Sequence, residues 1–322
     1  MTVTTVSDAS TRVAEAPASR QTAAGLWTIV WRLVRNTAVA AFRYRVTGLA
    51  AEAAFFALVS LPSLVLGLIG TMGHFRGALG EPTVIEIREW VIDKASTVIT
   101  PETVKTVVIP LIDDVIKGQR VEIVSVSFLI SLWAGSRAMN VYVDTITIAY
   151  GLSGIRGVIR TRLRAFLLYL GGLVGMLIVI PLLMAGPALV KQALPSTTHY
   201  VQVLYWPTVV ALSILLLATL YHVSVPVRTA WWREVPGAVV AMIIWIVGSV
   251  ILRLYLAGSL SGVSMYGSLS APIALLAWLY VAALAVLIGA ALNAEIDKMW
   301  PSVGTARARA VRAAAEQTVA PA

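Results

Sequence analysis

The sequence predicts an all-α fold: a polytopic membrane helical bundle of six transmembrane helices, with an extracytoplasmic amphipathic helical insertion between the first two. Three observations predict it. Of the 322 residues, 58% are hydrophobic and 13% charged, against roughly 25% charged in a soluble domain. Six apolar stretches have the length that a ~30 Å hydrocarbon core demands of a helix; they lie at 46–72, 122–149, 163–188, 202–224, 236–258 and 268–297. The arginines gather in alternate connections, as they do when one side of a membrane retains them. There is no cysteine, which excludes a disulfide framework and a thiolate metal site.

Residues 1–21 are rich in Ser, Thr and Ala and hold no apolar run like that of a secretory signal, so a disordered cytoplasmic N-terminus is expected. Residues 22–45 place Arg32, Arg35, Asn36 and Arg43 on one side of a helix. Trp27, Val30, Leu33, Val34 and Ala41 fall largely on the other, the pattern of an amphipathic helix lying in a headgroup layer. The membrane domain follows over 46–297, and its segment 73–121 carries two amphipathic helices. Thr83 with Glu86 forms a capping box; Thr100 is an N-cap, Pro101 the first helical residue, and Gly118 follows the end. Val104, Val107, Val108, Leu111, Ile112 and Val115 share one stripe. These helices either cap the bundle at the outer surface or form a lid that meets substrate.

Pro62 interrupts the first span, Pro181 and Pro187 the third, and 257–272 joins the last two spans through small uncharged residues. Such backbone either lines a cavity, as broken helices do in transporters, or reflects the ordinary proline and turn chemistry of membrane helices. Residues 298–322 close the chain as a basic cytoplasmic tail. Six arginines precede the first span, Arg156, Arg160 and Arg162 stand in the connection 150–162, and Arg228 and Arg233 in 225–235. Lys298, Arg307, Arg309 and Arg312 mark the tail. All of these fall on one side, which makes both termini cytoplasmic. Much of the net charge of +9 is thus accounted for by the membrane rather than by nucleic acid.

Within the first span stands Glu52, where a carboxylate costs about 2.5 to 3.5 kcal/mol on insertion scales. The second span carries Arg137 near its middle and Asp144 nearer its cytoplasmic end, on one helical face, with Asn140 between them. Glu52 and Asp144 lie at similar shallow depths, and Arg137 about 10 Å deeper at 1.5 Å per residue. Charges facing a bundle interior can satisfy one another, whereas each facing lipid is penalised. Glu52, Arg137, Asn140 and Asp144 are therefore expected to form a buried intramembrane polar cluster. Its role is either a solute path or a device fixing helix register, with Glu52 snorkelling to the interface. Arg253, near the outer end of the fifth span, and Tyr266, in the last connection, are weaker candidates.

The stretches AAEAAFFALVSLPSL (50–64), LWAGSRAMNVYVDTITIAYG (132–151), YHVSVPVRTAWWREVPGAVVAMIIW (221–245), YLAGSLSGVSMYGSLSAPIALLAWLY (255–280) and LIGAALNAEID (287–297) resemble, in this order, the YihY/BrkB family of inner-membrane proteins. The resemblance covers about residues 30–297. It implies a bacterial inner-membrane protein of six spans with cytoplasmic ends, but no catalytic motif. Members of the family have carried a ribonuclease label, a virulence-factor label and suggestions of solute or lipid transport. The family pattern falls here on Pro226, Pro236, Gly237, Tyr266, Gly267, Gly289, Asn293 and Glu295, which read as packing, turn and helix-end residues.

A metal-dependent nuclease needs clustered carboxylates or histidines, and the histidines are His74, His199 and His222, on separate segments. There is no Walker A, GxSxG or HExxH sequence. The chain is expected to be no enzyme, to need no cofactor and to bind no specific nucleic acid. The partners expected are membrane lipids, anionic ones in particular, because a buried cation and a basic inner surface attract negative headgroups; a homo-oligomer stays open. Two functions remain: a transporter-like or amphiphile-handling protein working without ATP hydrolysis, and a structural or partner-binding membrane protein.

Overall fold

The computed structural model describes residues 26–74, 81–98, 104–116, 121–155, 157–193, 198–227, 229–259 and 270–319. The chain opens with α1 (Leu26–Arg43) and α2 (Val46–His74). Between them Arg45 takes φ 53°, a left-handed conformation that ends α1, and the axes of Trp27–Arg43 and Val46–Pro62 meet at 64°. α1 buries Thr37 and Ala40 and leaves Trp27, Trp31 and Phe42 exposed. It thus has three faces rather than two: one packed against protein, one exposed and aromatic, and one bearing Arg32, Arg35 and Arg43.

Next come α3 (Glu81–Val98), a π-turn at Val104–Val108 and α4 (Ile109–Ile116). Arg88 donates a fork of hydrogen bonds to Asp113, at 2.6 and 3.1 Å. Ile112 and Ile116 are buried with Val91, Ile92 and Val108 packed on them, so the apolar stripe read from the sequence faces a partner helix. The capping positions Thr83, Thr100, Pro101 and Gly118 lie outside the residues whose side chains are described.

The remaining helices are α5 (Val121–Ala149), α6 (Val158–Ala193), α7 (Thr198–Ser224), α8 (Val235–Ser259), α9 (Ser270–Met299) and α10 (Val303–Val319), with a 3-10 turn at Trp231–Glu234 before α8. Helices α2 and α5 through α9 coincide with the six apolar stretches. Among the described residues, three stretches are long and apolar enough to cross a bilayer: Pro207–Ser224, Trp231–Leu256 and Pro272–Met299, with mean hydropathies of 1.7, 2.5 and 2.5. Counting the bent α1–α2 pair as one span makes four. α5 has the length, 29 residues, but Arg137, Asn140 and Asp144 dilute its apolar character. Only 17, 22 and 28% of the three stretches is buried inside the protein. Outward residues such as Ile243, Val250, Ile251 and Leu254 are well exposed, as lipid-facing side chains must be where hydrocarbon is the solvent.

The core is made of small residues. Ala50 and Ala53 of α2 meet Val141 of α5 and Ala283 and Leu287 of α9. Nearer the ends of α5 and α9, Ile146, Ala149, Tyr150, Ala218, Tyr221, Ala290 and Ala294 form a second cluster. Alanine and glycine let helix axes approach closely, which is how membrane helices gain dispersion contact without a hydrophobic drive. α8 and α9 cross at Gly237 and Gly289, where a methyl on either would run into the other's carbonyl oxygen.

The interruptions read from Pro62, Pro181 and Pro187 do not occur. α2 continues through Pro62, and α6 is unbroken from Val158 to Ala193. One missing N–H is tolerated where neighbouring turns and helices hold the rest of the ladder. α5 ends in a Schellman motif: Leu152 N donates to Thr147 O and Gly151 N to Ile148 O, with Gly151 at φ 70° and Leu152 completely buried. Most of the tail beyond 298 is helical, and Ser302 caps α10, accepting from the Thr305 N–H at 3.1 Å.

Candidate functional site

One stripe of α5, from Leu129 through Trp133, Arg137 and Asn140 to Asp144, lies on the open side of the helix, while Ala134, Ala138, Val141 and Thr145 are buried behind it. The adjoining edge of α2 presents Glu52, Phe55 and Phe56. Arg137 Nη2 donates to Glu52 Oε1 at 3.1 Å, and its guanidinium carbon stands 5.5 Å from the centre of the Phe56 ring. Phe56 meets both Phe55 and Trp133 edge-on, at centroid distances of 5.6 and 5.8 Å. The guanidinium is thus held by a carboxylate and an aromatic face together.

Three residues on from Arg137, Asn140 Nδ2 donates to Asp144 Oδ2 at 2.6 Å within the same helix. The structure therefore makes two pairs of the expected four residues. Glu52 meets Arg137 as the sequence suggested, but Asp144 forms no ion pair among the described residues. The expected burial is also corrected. The side chains of Arg137 and Glu52 remain 42 and 36% exposed, and Asp144 is exposed. The reason is helix rotation: α5 turns its small residues toward α2 and α9 and leaves the polar stripe along the rim, making a half-open groove. Of the weaker candidates, Arg253 is exposed on α8 and joins no ion pair among the described residues, and Tyr266 lies outside the described residues.

A second polar assembly, not foreseen from the sequence, closes the far end of the same helix. Glu234 is completely buried. It accepts hydrogen bonds from the Tyr150 hydroxyl at 2.7 Å, the Asn293 amide at 3.1 Å and the Thr229 hydroxyl at 3.2 Å. Burial, with the Glu234 carboxylate beside it, pushes the Tyr150 phenol well up, so it stays a proton donor. Asn293 also caps the start of α8, donating to Glu234 O at 2.9 Å and accepting from Gly237 N at 2.7 Å.

Asp297, one turn along α9, binds α10: Arg309 Nη2 donates to it at 2.6 Å and Thr305 Oγ1 at 3.0 Å. Arg309 Nε reaches the Tyr150 carbonyl at 3.0 Å, and Arg312 bonds Gly151 O and Ser153 Oγ. A cavity of about 140 Å³ lies among Tyr150, Arg233, Glu234, Asn293, Asp297 and Trp300. Glu234 next to Arg233 reads in the sequence as a solvated charge. The signal pointing here was that Tyr150, Thr229, Glu234, Asn293 and Asp297 all fall within the stretches that carry the family resemblance. Among the described residues, no three His, Asp or Glu side chains gather at metal-binding distance.

The family described as Virulence factor BrkB matches residues 40–314, almost the same range as the resemblance read from the motifs. The ribonuclease-like protein YfkH of Bacillus subtilis (strain 168) is 24% identical over 182 residues, which span 55% of this chain and 66% of that protein, just under two thirds of its length. No solved structure matches the chain.

Proposed function

The chain belongs to the virulence factor BrkB family, and from that premise we propose that it is a six-span bacterial inner-membrane protein which passes amphiphiles along the α2–α5 groove without ATP hydrolysis. The observation that carries this reading is the half-open Glu52–Arg137 pair, which joins α2 to Arg137 near the middle of the 29-residue α5. Charged groups at membrane depth are stable when they face water, a polar ligand or another protein group, and costly when they face lipid tails. A stripe that is polar at Arg137, Asn140 and Asp144 and apolar beyond them at Trp133 and Leu129, with Phe55 exposed on α2, suits a molecule with a polar head and an apolar tail. The head would travel along the stripe while the tail stayed in the bilayer.

Helices α3 and α4 sit outside in this arrangement, both termini lie in the cytoplasm, and α1 rests at the inner interface. Its exposed Trp27, Trp31 and Phe42 enter the acyl boundary, and Arg32, Arg35 and Arg43 meet anionic headgroups. Support for a non-enzymatic protein comes from composition, with no cysteine and three histidines on separate segments. A scaffold reading draws on the Glu234 and Asp297 networks, which stiffen one end of the bundle and need no path.

The test is transfer of a labelled amphiphile across vesicles holding the full chain, comparing Arg137→Ala with Arg137→Lys. Losing the charge is expected to slow transfer about tenfold, equivalent to ~1.4 kcal/mol on the barrier, and lysine should restore part of the rate. An alanine variant that folds and transfers like the parent establishes the scaffold reading instead.

A further inference from the structure

The cavity beside α10 is lined by a buried carboxylate that has no cation. Glu234 is completely buried, and among the described residues its side chain accepts hydrogen bonds from neutral donors alone: the Tyr150 hydroxyl of α5 at 2.7 Å, the Asn293 amide of α9 at 3.1 Å and the Thr229 hydroxyl at 3.2 Å. The two arginines of this region serve other acceptors. Arg233, the preceding residue, donates to the Trp300 carbonyl at 2.9 Å and stands 3.5 Å from Asp297. Arg309 of α10 donates to Asp297 at 2.6 Å and to the Tyr150 carbonyl at 3.0 Å. The remaining groups within electrostatic range of Glu234 bring no positive charge. Tyr221 of α7 donates its hydroxyl to Val286 O at 2.7 Å, and Asp297 is a second negative charge. A carboxylate removed from water, with neutral partners and a like charge near it, gains from taking up a cation. A metal ion needs several oxygen or nitrogen ligands, and among the described residues no three His, Asp or Glu side chains gather to supply them. A proton needs one lone pair.

The cavity gives that proton a way in. At about 140 Å³ it far exceeds the ~10–15 Å³ that one water molecule needs. Its lining runs from Arg233 and Trp300, both exposed, to Glu234, Asn293 and Asp297, all buried, so solvent reaches from the surface toward the carboxylate. We propose that Glu234 is a reversible proton-binding site, loaded through this cavity from the end of the bundle where α10 docks. Hydronium passes its proton to Oε1, an O–H bond forms there, and water is left behind. The new O–H donates to the Thr229 hydroxyl, which turns its own hydrogen away, so both states fit the same heavy-atom positions. Tyr150 and Asn293 go on donating to Oε2, but their charge-assisted bonds, roughly twice as strong as neutral ones, become neutral. Loading thus slackens the tie between the end of α5 and the start of α8. This site lies apart from the α2–α5 groove and needs no transfer along it.

Infrared difference spectra of the full chain in detergent, taken between mildly alkaline and mildly acidic buffer in ordinary and in heavy water, test the assignment. Acidification should raise a carboxylic-acid carbonyl band that moves to lower frequency on deuteration and is lost in Glu234→Gln. Thr229→Val keeps the acid but removes the acceptor of its proton, so the band should persist at higher frequency. Tyr150→Phe removes a donor that favours the charged form, so the band should appear at a higher pH than in the parent. These two variants carry the test should Glu234→Gln fail to fold, and thermal melting establishes the fold of each. A Glu234 that stays ionised, or stays protonated, across the whole range gives no such band and overturns the assignment. So does a band that neither Thr229→Val nor Tyr150→Phe moves, because that proton then sits on another carboxylate.

Discussion

At the scale of single residues, exposure decides what each charge is worth. A fully buried ion pair broken by removal of one partner costs about 3 to 5 kcal/mol, whereas exposed pairs couple by about 1 kcal/mol or less. Glu52 and Arg137 keep 36 and 42% of their side-chain surface exposed, so the smaller value applies. In thermal melts of detergent-solubilised protein, Glu52→Gln and Arg137→Gln should each cause a modest loss, and the double variant should recover about 1 kcal/mol of their sum. Strictly additive losses would show that the 3.1 Å contact carries no energy. Glu234 behaves differently because it is completely buried. Glu234→Gln retains an oxygen for Tyr150 and Asn293, and the Thr229 hydroxyl can turn to accept from the new amide, so a cost under about 1 kcal/mol is expected. Glu234→Ala strands the buried Tyr150 hydroxyl, removes one hydrogen bond each from Asn293 and Thr229 and opens a void, which should cost about 3 kcal/mol or more. Similar melting temperatures for the two variants would contradict this hydrogen-bond assignment.

At the scale of elements, helix existence is local and helix contact is not. The apolar stretches and the helices agree because length and composition suffice to require a helix in hydrocarbon, where every backbone polar group must be satisfied internally. The prolines misled because they mark a lost donor, while continuity depends on the neighbours. Where α8 crosses α9, a methyl at Gly237 would meet Gly289 O and the Asn293 side chain, and one at Gly289 would meet Gly237 O and the Tyr221 hydroxyl. Gly237→Ala and Gly289→Ala should each separate these helices and lower the melting temperature markedly. Gly48→Ala, on α2 with nothing near its added methyl, should be neutral or gain up to about 1 kcal/mol from helix propensity. Equal behaviour of the three variants would refute the close crossing.

At the scale of the whole molecule, charge decides which way the bundle faces. The arginine asymmetry is a strong orienting signal, and the absence of cysteine makes it directly testable. Cysteines introduced by Gly157→Cys or Ala322→Cys should react only after the membrane is made permeable, and Thr97→Cys should react from outside in intact cells. Labelling of position 157 from outside would invert the topology and with it the side from which an amphiphile enters the α2–α5 groove.

The sequence by itself determined the solvent, the positions of the helices, the family and Arg137 as the candidate partner of Glu52. Each of these follows from apolar length, from charge counted along the chain or from residues sharing one face of one helix, and none needs a fold to be known. Tertiary structure alone decided that the cluster is half open, that Asp144 stands apart from Arg137, and that the basic tail is a helix clasped to α5. It also decided that Glu234 is a buried hub. Those outcomes depend on how far each helix is rotated about its axis and on meetings between residues distant in the chain. Tyr150 and Glu234 are separated by 84 positions, and Arg309 reaches the Tyr150 carbonyl across 159. Periodicity places a residue on a face, but only packing determines whether that face meets protein, water or lipid.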